Sequence, residues 1–179
     1  MKKYLFKILL AIVVIGIALI VRSKFERFTI PQNGMYPGLP AGTTRWVVKS
    51  SFESVDDLNI GDVVVFQLDS DQGKFNYVWR VIAFPGDQVS IENELIQVNG
   101  ATVARKYLRT EGSFKIFEET HGEKSYEVAY DLDAAQTNRR GCQLTVPNEH
   151  VFLLGDNRYN AADSRYHGPV SVKDVFGKF

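Results

Sequence analysis

The sequence predicts an all-β domain carried behind one membrane-spanning helix. Three features predict it: a long apolar run near the amino terminus, short β-branched and aromatic segments of strand length, and Gly and Pro between them. The 179 residues suit one domain plus an anchor, or one domain with a small insert. The expected boundaries are 1–24 for the anchor and 25–179 for the domain, with an insert at about 106–143.

The helix comes first. Ile8 to Val21 is uninterrupted apolar sequence, and Tyr4, Leu5 and Phe6 extend it across Lys7. That approaches the roughly 20 residues needed to cross a bilayer. Lys7 can snorkel to the interface. A cleaved signal peptide is the rival reading, but it wants small residues before the cut, and Ile20-Val21-Arg22-Ser23-Lys24 offers no such site. An uncleaved anchor is therefore expected. Its orientation is open, because Lys2, Lys3 and Lys7 before the span balance Arg22, Lys24 and Arg27 after it.

The strands follow. Arg45–Val48, Asp62–Leu68, Tyr77–Phe84, Gln88–Ile91, Leu95–Val98, Tyr126–Tyr130 and Val151–Leu154 alternate or run apolar at strand length. Asn99-Gly100 supplies the positive-φ pair of a type I′ turn, so Ile96–Val98 and Thr102–Ala104 should form a hairpin. Residues 106–143 read as a polar, irregular excursion from the main sheet, rich in charge.

Composition removes several classes of function. Lys plus Arg and Asp plus Glu number 21 each, so no basic excess marks a nucleic-acid binder. The single cysteine, Cys142, cannot form an intramolecular disulfide, and no cysteine-peptidase signature pairs it with His150. His121 and His167 read as surface or packing residues. No His, Cys or carboxylate spacing suggests a metal site, and no cofactor is expected.

Four stretches carry chemistry: FTIPQNGMYPGLPAGT after the anchor, then LNIGDVVVF, YVWRVIAFPGD and LLGDNRYNAADSRYHG. In this order and spacing they resemble the type I signal peptidases, membrane-bound Ser–Lys enzymes that remove signal peptides from exported proteins. GDNR followed by DSR is the most specific part. The resemblance runs from the anchor to about Gly168. It implies a coiled β-sheet domain of the signal-peptidase kind with a small inserted sub-domain.

The resemblance also assigns roles, and three of them fall on the wrong residues. The family's nucleophile is the serine of a Ser-Met-x-Pro turn; here Gly34, Met35, Tyr36 and Pro37 stand in that turn, and glycine has no nucleophile. The family's general base is a lysine just before an arginine; here Trp79 precedes Arg80, and an indole only donates. The serine that orients that base corresponds to Ala161. An oxyanion-binding serine corresponds to Gln32, whose amide can donate to such an oxygen or merely cap the turn. Asp156, Asn157, Arg158, Asp163, Ser164 and Arg165 keep the pattern and are expected to form a structural network behind the site.

Strand alternation puts Tyr77 beside Trp79 on the catalytic face. Lys74 has the wrong parity to replace the base. Ser50, Ser51 and Ser90 lie away from the turn. Trp79 facing Gly34 is expected to fill the cleft and avoid a void. Tyr36 and Leu39, with Met35 and Pro37, are candidates for a substrate groove or a lipid contact; the alternative for Tyr36 and Leu39 is core packing under the turn.

The expected function is therefore a membrane-anchored signal-peptidase-like protein without the dyad. It would hold signal-peptide-like or pilin-like extended segments, with its β domain on the extracytoplasmic side of the cytoplasmic membrane. The alternatives are an active peptidase with relocated groups, and a structural subunit that binds another membrane protein through the insert.

Overall fold

The computed structural model describes residues 2–49, 52, 54–70, 73–134 and 140–179. Helix α1, Lys2–Lys24, leads directly into strand β1, Phe25–Thr29. No described side chain of α1 is buried, so it is not a core helix. Its length and apolar composition are those of a bilayer span.

Three antiparallel sheets follow. The largest is built from β1, β2 (Thr44–Lys49), β3 (Val63–Ser70), β4 (Gly73–Ala83), β12 (His150–Leu154), β13 (Val170–Ser171) and β14 (Val175–Lys178). Its order is β1-β2-β14-β3-β4-β12-β13. The second sheet joins β5 (Gln88–Glu92), β6 (Leu95–Val98), β7 (Ala101–Thr102) and β11 (Cys142–Thr145) in the order β11-β5-β6-β7. Asn99 and Gly100 sit at φ of 54° and 78°, as the I′ turn between β6 and β7 requires.

The third sheet corrects the reading of the insert. The stretch expected to be irregular forms β8 (Ala104–Glu111) and β9 (Phe114–His121), which join β10 (Lys124–Asp131), the strand expected at Tyr126–Tyr130, in the order β10-β9-β8. Gly112 and Gly122, at φ of 57° and 61°, open the two-residue turns Gly112-Ser113 and Gly122-Glu123. Glycine first in such a turn is the type II′ pattern. The alternation was masked because one buried position of β9 is a carboxylate, Glu119, on the same face as Phe117.

Two apolar clusters hold the sheets together, and β12 serves both. Val151 and Leu153 point into the cluster containing Met35, Phe66 and Trp79. Phe152 and Leu154 point into the one containing Ile82, Ile91 and Val128. A strand buried on both faces needs an unbroken apolar run, and VFLL supplies it. The segment after β12 packs Tyr159 into the second cluster and leads to the short helix α2 (Ser164–His167).

Candidate active site

The turn after β1 places Gly34 in a buried position. A Cβ built on Gly34 would lie 3.6 Å from the Ala161 Cβ. Trp79, on β4, borders the same point. Pro31, Gln32, Gly34, Tyr77, Val78 and Trp79 line a crevice of about 10 Å³. That holds at most one water. The positions the sequence aligned with nucleophile, base and base-orienting serine thus converge, and none carries a group able to attack a carbonyl or take a proton.

Trp79 occupies the space a shorter side chain would leave. It is 2% exposed. Its ring lies 4.8 Å from that of Phe66 and 5.1 Å from that of Tyr77. The exposed His167 ring covers it at 6.1 Å, with planes 15° apart. His167 is a packing residue over the crevice, a contact that no local sequence signal announces.

Asn157 pins the turn. Its backbone N–H donates to the Gly34 carbonyl at 2.9 Å, and its Nδ2 donates to the Asn33 carbonyl at 3.1 Å. Gly155 is fixed by close approach: a Cβ there would fall 2.2 Å from the Ala161 Cβ and 2.7 Å from the Gly34 oxygen. Backbone and loop would have to part. Gly155→Ala is expected to cost about 1–3 kcal/mol, seen as a lowered urea midpoint. An unchanged midpoint would show that the turn and loop separate freely.

The six charged and polar residues of the loop are all buried. Arg80 holds Asp156 with two N–H donors, Nε at 2.8 Å, and donates Nη1 to the Gly61 carbonyl at 2.7 Å. Burial opposes the Arg80 charge, but Asp156 more than offsets this and its pKa is raised. Asp163 caps α2: its Oδ2 accepts from Gly155 N–H at 3.0 Å, and both its oxygens accept from Arg165 at 2.8 and 2.7 Å. Ser164 Oγ accepts from Leu153 N–H at 3.0 Å. Arg158 reaches a partner the sequence did not reveal. Its Nη1 and Nη2 donate to Glu119 at 3.0 and 2.7 Å, with both side chains 2% exposed. Burial again works against the guanidinium, and Glu119 leads the groups that raise its pKa.

The remaining candidates separate. Gln32 is exposed at the lip of the crevice, and its amide makes no hydrogen bond to the described residues. Met35 is not available to a groove or to lipid: it is 1% exposed and belongs to the core, because the turn folds inward. Leu39 packs partly against that core. Tyr36 is half-buried; its hydroxyl donates to Glu111 Oε2 at 2.7 Å and its ring lies 4.8 Å from Phe114, so it ties the turn to the β8–β9 hairpin. Pro37 and Tyr77 are partly exposed. Lys74 points to Asp69 at 3.5 Å in solvent, away from the crevice. Ser50 and Ser51 lie outside the described residues. His150 Nδ1 meets the Asn148 carbonyl at 2.7 Å, and burial pushes the Cys142 thiol up, so neither is poised for nucleophilic work.

Known proteins of similar sequence bear on this geometry. A signal peptidase I of Pseudomonas fluorescens is 35% identical over 182 residues, covering 92% of this chain and 63% of that protein. The chain thus spans less than two thirds of that relative's length. A signal peptidase I of Bacillus amyloliquefaciens is 30% identical over 155 residues, 86% of this chain and 71% of that protein. The crystal structure of a signal peptidase I from Enterococcus faecalis V583 is 24% identical, with a TM-score of 0.43 over 68% of this chain and 96% of that one. The profile described as "Signal peptidase, peptidase S26" matches residues 1–179, and the chain belongs to that family.

Proposed function

We propose that this chain is a signal-peptidase-like protein that binds extended, signal-peptide-like or pilin-like segments and does not cut them. One observation carries the reading: Gly34 and Trp79 line a crevice of about 10 Å³, a Cβ on Gly34 would lie 3.6 Å from that of Ala161, and none of these three positions carries a nucleophile or a base. Binding has a separate basis. β12 pairs with β4 only at Arg80, Val81 and Ala83, so from Lys74 to Trp79 no described strand covers the edge of β4 away from β3. β1 likewise has a strand on one side only. Open edges of this kind accept an added strand through backbone hydrogen bonds, which need no dyad. α1 would anchor the chain in the cytoplasmic membrane, with the β domain on the extracytoplasmic side.

A second reading is ordinary signal-peptide cleavage with relocated groups, favoured by the relatives named signal peptidase I. One experiment separates the two. The full chain in detergent is mixed with a labelled preprotein, and binding and cleavage are read together, beside a Gly34→Ser/Trp79→Lys variant. Binding without cleavage by the parent, with cleavage by the variant, is expected. Cleavage by the parent would overturn the proposal. No binding by either would leave the third role, a structural subunit joined to a membrane complex.

A further inference from the structure

A larger cavity shares no lining residue with the crevice. It has a volume of about 380 Å³, within the range of small-molecule sites. Ile91, Ile96 and Leu154 give it apolar walls, and Tyr130 and Tyr159 give it aromatic ones. Three guanidiniums face it: Arg140, Arg158 and Arg165. Two of these are more than nine-tenths buried.

The donors are not used up. Arg165 spends Nε and Nη2 on Asp163 and on the Arg158 carbonyl, and its Nη1 makes no hydrogen bond to the described residues. Arg158 spends one N–H from each of Nε, Nη1 and Nη2, which leaves part of its five-donor fork free. Charge is nearly but not fully balanced. Glu119 neutralises Arg158, Asp163 neutralises Arg165, and Glu94 sits 3.9 Å from Arg105. Arg140, exposed at the rim with its guanidinium 5.3 Å from the Tyr166 ring, has no carboxylate partner among the described residues. Among the described residues, the cavity therefore offers spare planar donors and one uncompensated positive charge beside apolar walls.

We propose that this cavity is a binding site for a small monocarboxylate with an apolar or aromatic body, held by Arg140 and the free donors of Arg165. The carboxylate matches the guanidinium fork in geometry, and its single charge matches the single excess charge. A dianionic group would leave one buried charge unmatched. The body would lie on Ile91, Ile96 and Leu154. Nothing in this site depends on the missing dyad, so it stands or falls apart from the reading of the crevice.

The test is calorimetry on the full chain in detergent with 4-methylbenzoate, against the neutral isostere 4-methylbenzamide. Saturable one-to-one binding of the benzoate, at least about tenfold tighter than the amide, is expected; a tenfold ratio corresponds to about 1.4 kcal/mol. Arg140→Glu, an exposed change that leaves the buried network intact, should weaken the benzoate at least tenfold and leave the amide unchanged. Ile96→Trp should block both ligands by filling the cavity. Equal affinity for acid and amide, or full benzoate affinity in Arg140→Glu, would overturn the proposal, as would absence of binding at 10 mM, about tenfold above a millimolar Kd. Should Ile96→Trp fail to fold, the Arg140→Glu comparison decides alone.

Discussion

Glu119→Ala is expected to lower the unfolding free energy by about 3–5 kcal/mol. The reason is what remains behind. Arg158 is 2% exposed and would keep its charge with, among the described residues, only the Gly155 carbonyl, at 3.1 Å, still accepting from it. A guanidinium cannot escape by losing a proton, since its ordinary pKa already exceeds about 12. The loss does not mean that the pair is worth as much, because two well-packed apolar residues could serve equally well. It measures the cost of leaving the positive charge unmatched. For a domain of this size the midpoint of thermal unfolding should fall by roughly 6–20 °C. Glu149→Ala is the control: its bridge to Lys173 is 3.2 Å long but about 70% exposed on both sides, and its loss should cost less than about 1 kcal/mol. Similar shifts for the two variants would mean that water reaches Arg158.

Glu119 also marks where sequence reading stops. Its partner lies 39 residues away, and both belong to elements whose approach only the whole fold decides. In the local pattern Glu119 looks like one more charge in a polar stretch, which is why β8 and β9 read as irregular. The punctuation was present all the same: Gly112-Ser113 and Gly122-Glu123 are turn pairs as plain as Asn99-Gly100. The other strands were legible because their apolar positions sit at the spacing of a half-buried or fully buried sheet. The crevice was legible for a different reason. The family pattern fixes which positions meet, so three substitutions distant in sequence could be read as one place. Met35 faces inward although it matches the family turn, because such a match says nothing about whether a side chain faces out or in. The cavity beside Arg140 was invisible, since its walls come from all three sheets and the returning loop.

Trp79→Lys should show what placing a base in the crevice costs the fold. The change removes an indole that touches Phe66, Tyr77 and His167, and large-to-small losses of this kind cost about 3–5 kcal/mol, less whatever the lysine stem recovers. It also puts an ammonium where the contacts are aromatic rings. Burial disfavours the charged form, so the folded-state pKa of the new lysine should fall below the roughly 10.4 of an unfolded chain. Between those two values the unfolded chain binds the extra proton. Stability then rises with pH across that window and is lowest below the folded-state pKa. The urea midpoint of Trp79→Lys should therefore climb from pH 7 to pH 10 relative to the parent. Trp79→Met, which leaves a similar void without a charge, should be weakened equally at both. Gly34→Ser should stay within about 3 °C of the parent, because its Cβ meets Ala161 at an ordinary 3.6 Å. A flat pH response in Trp79→Lys would mean that water already surrounds that position, and the filled crevice would no longer explain a silent site. A rising one would mean that the fold still depresses a lysine in the way a general base requires, as the proposed loss of chemistry through side chains alone demands.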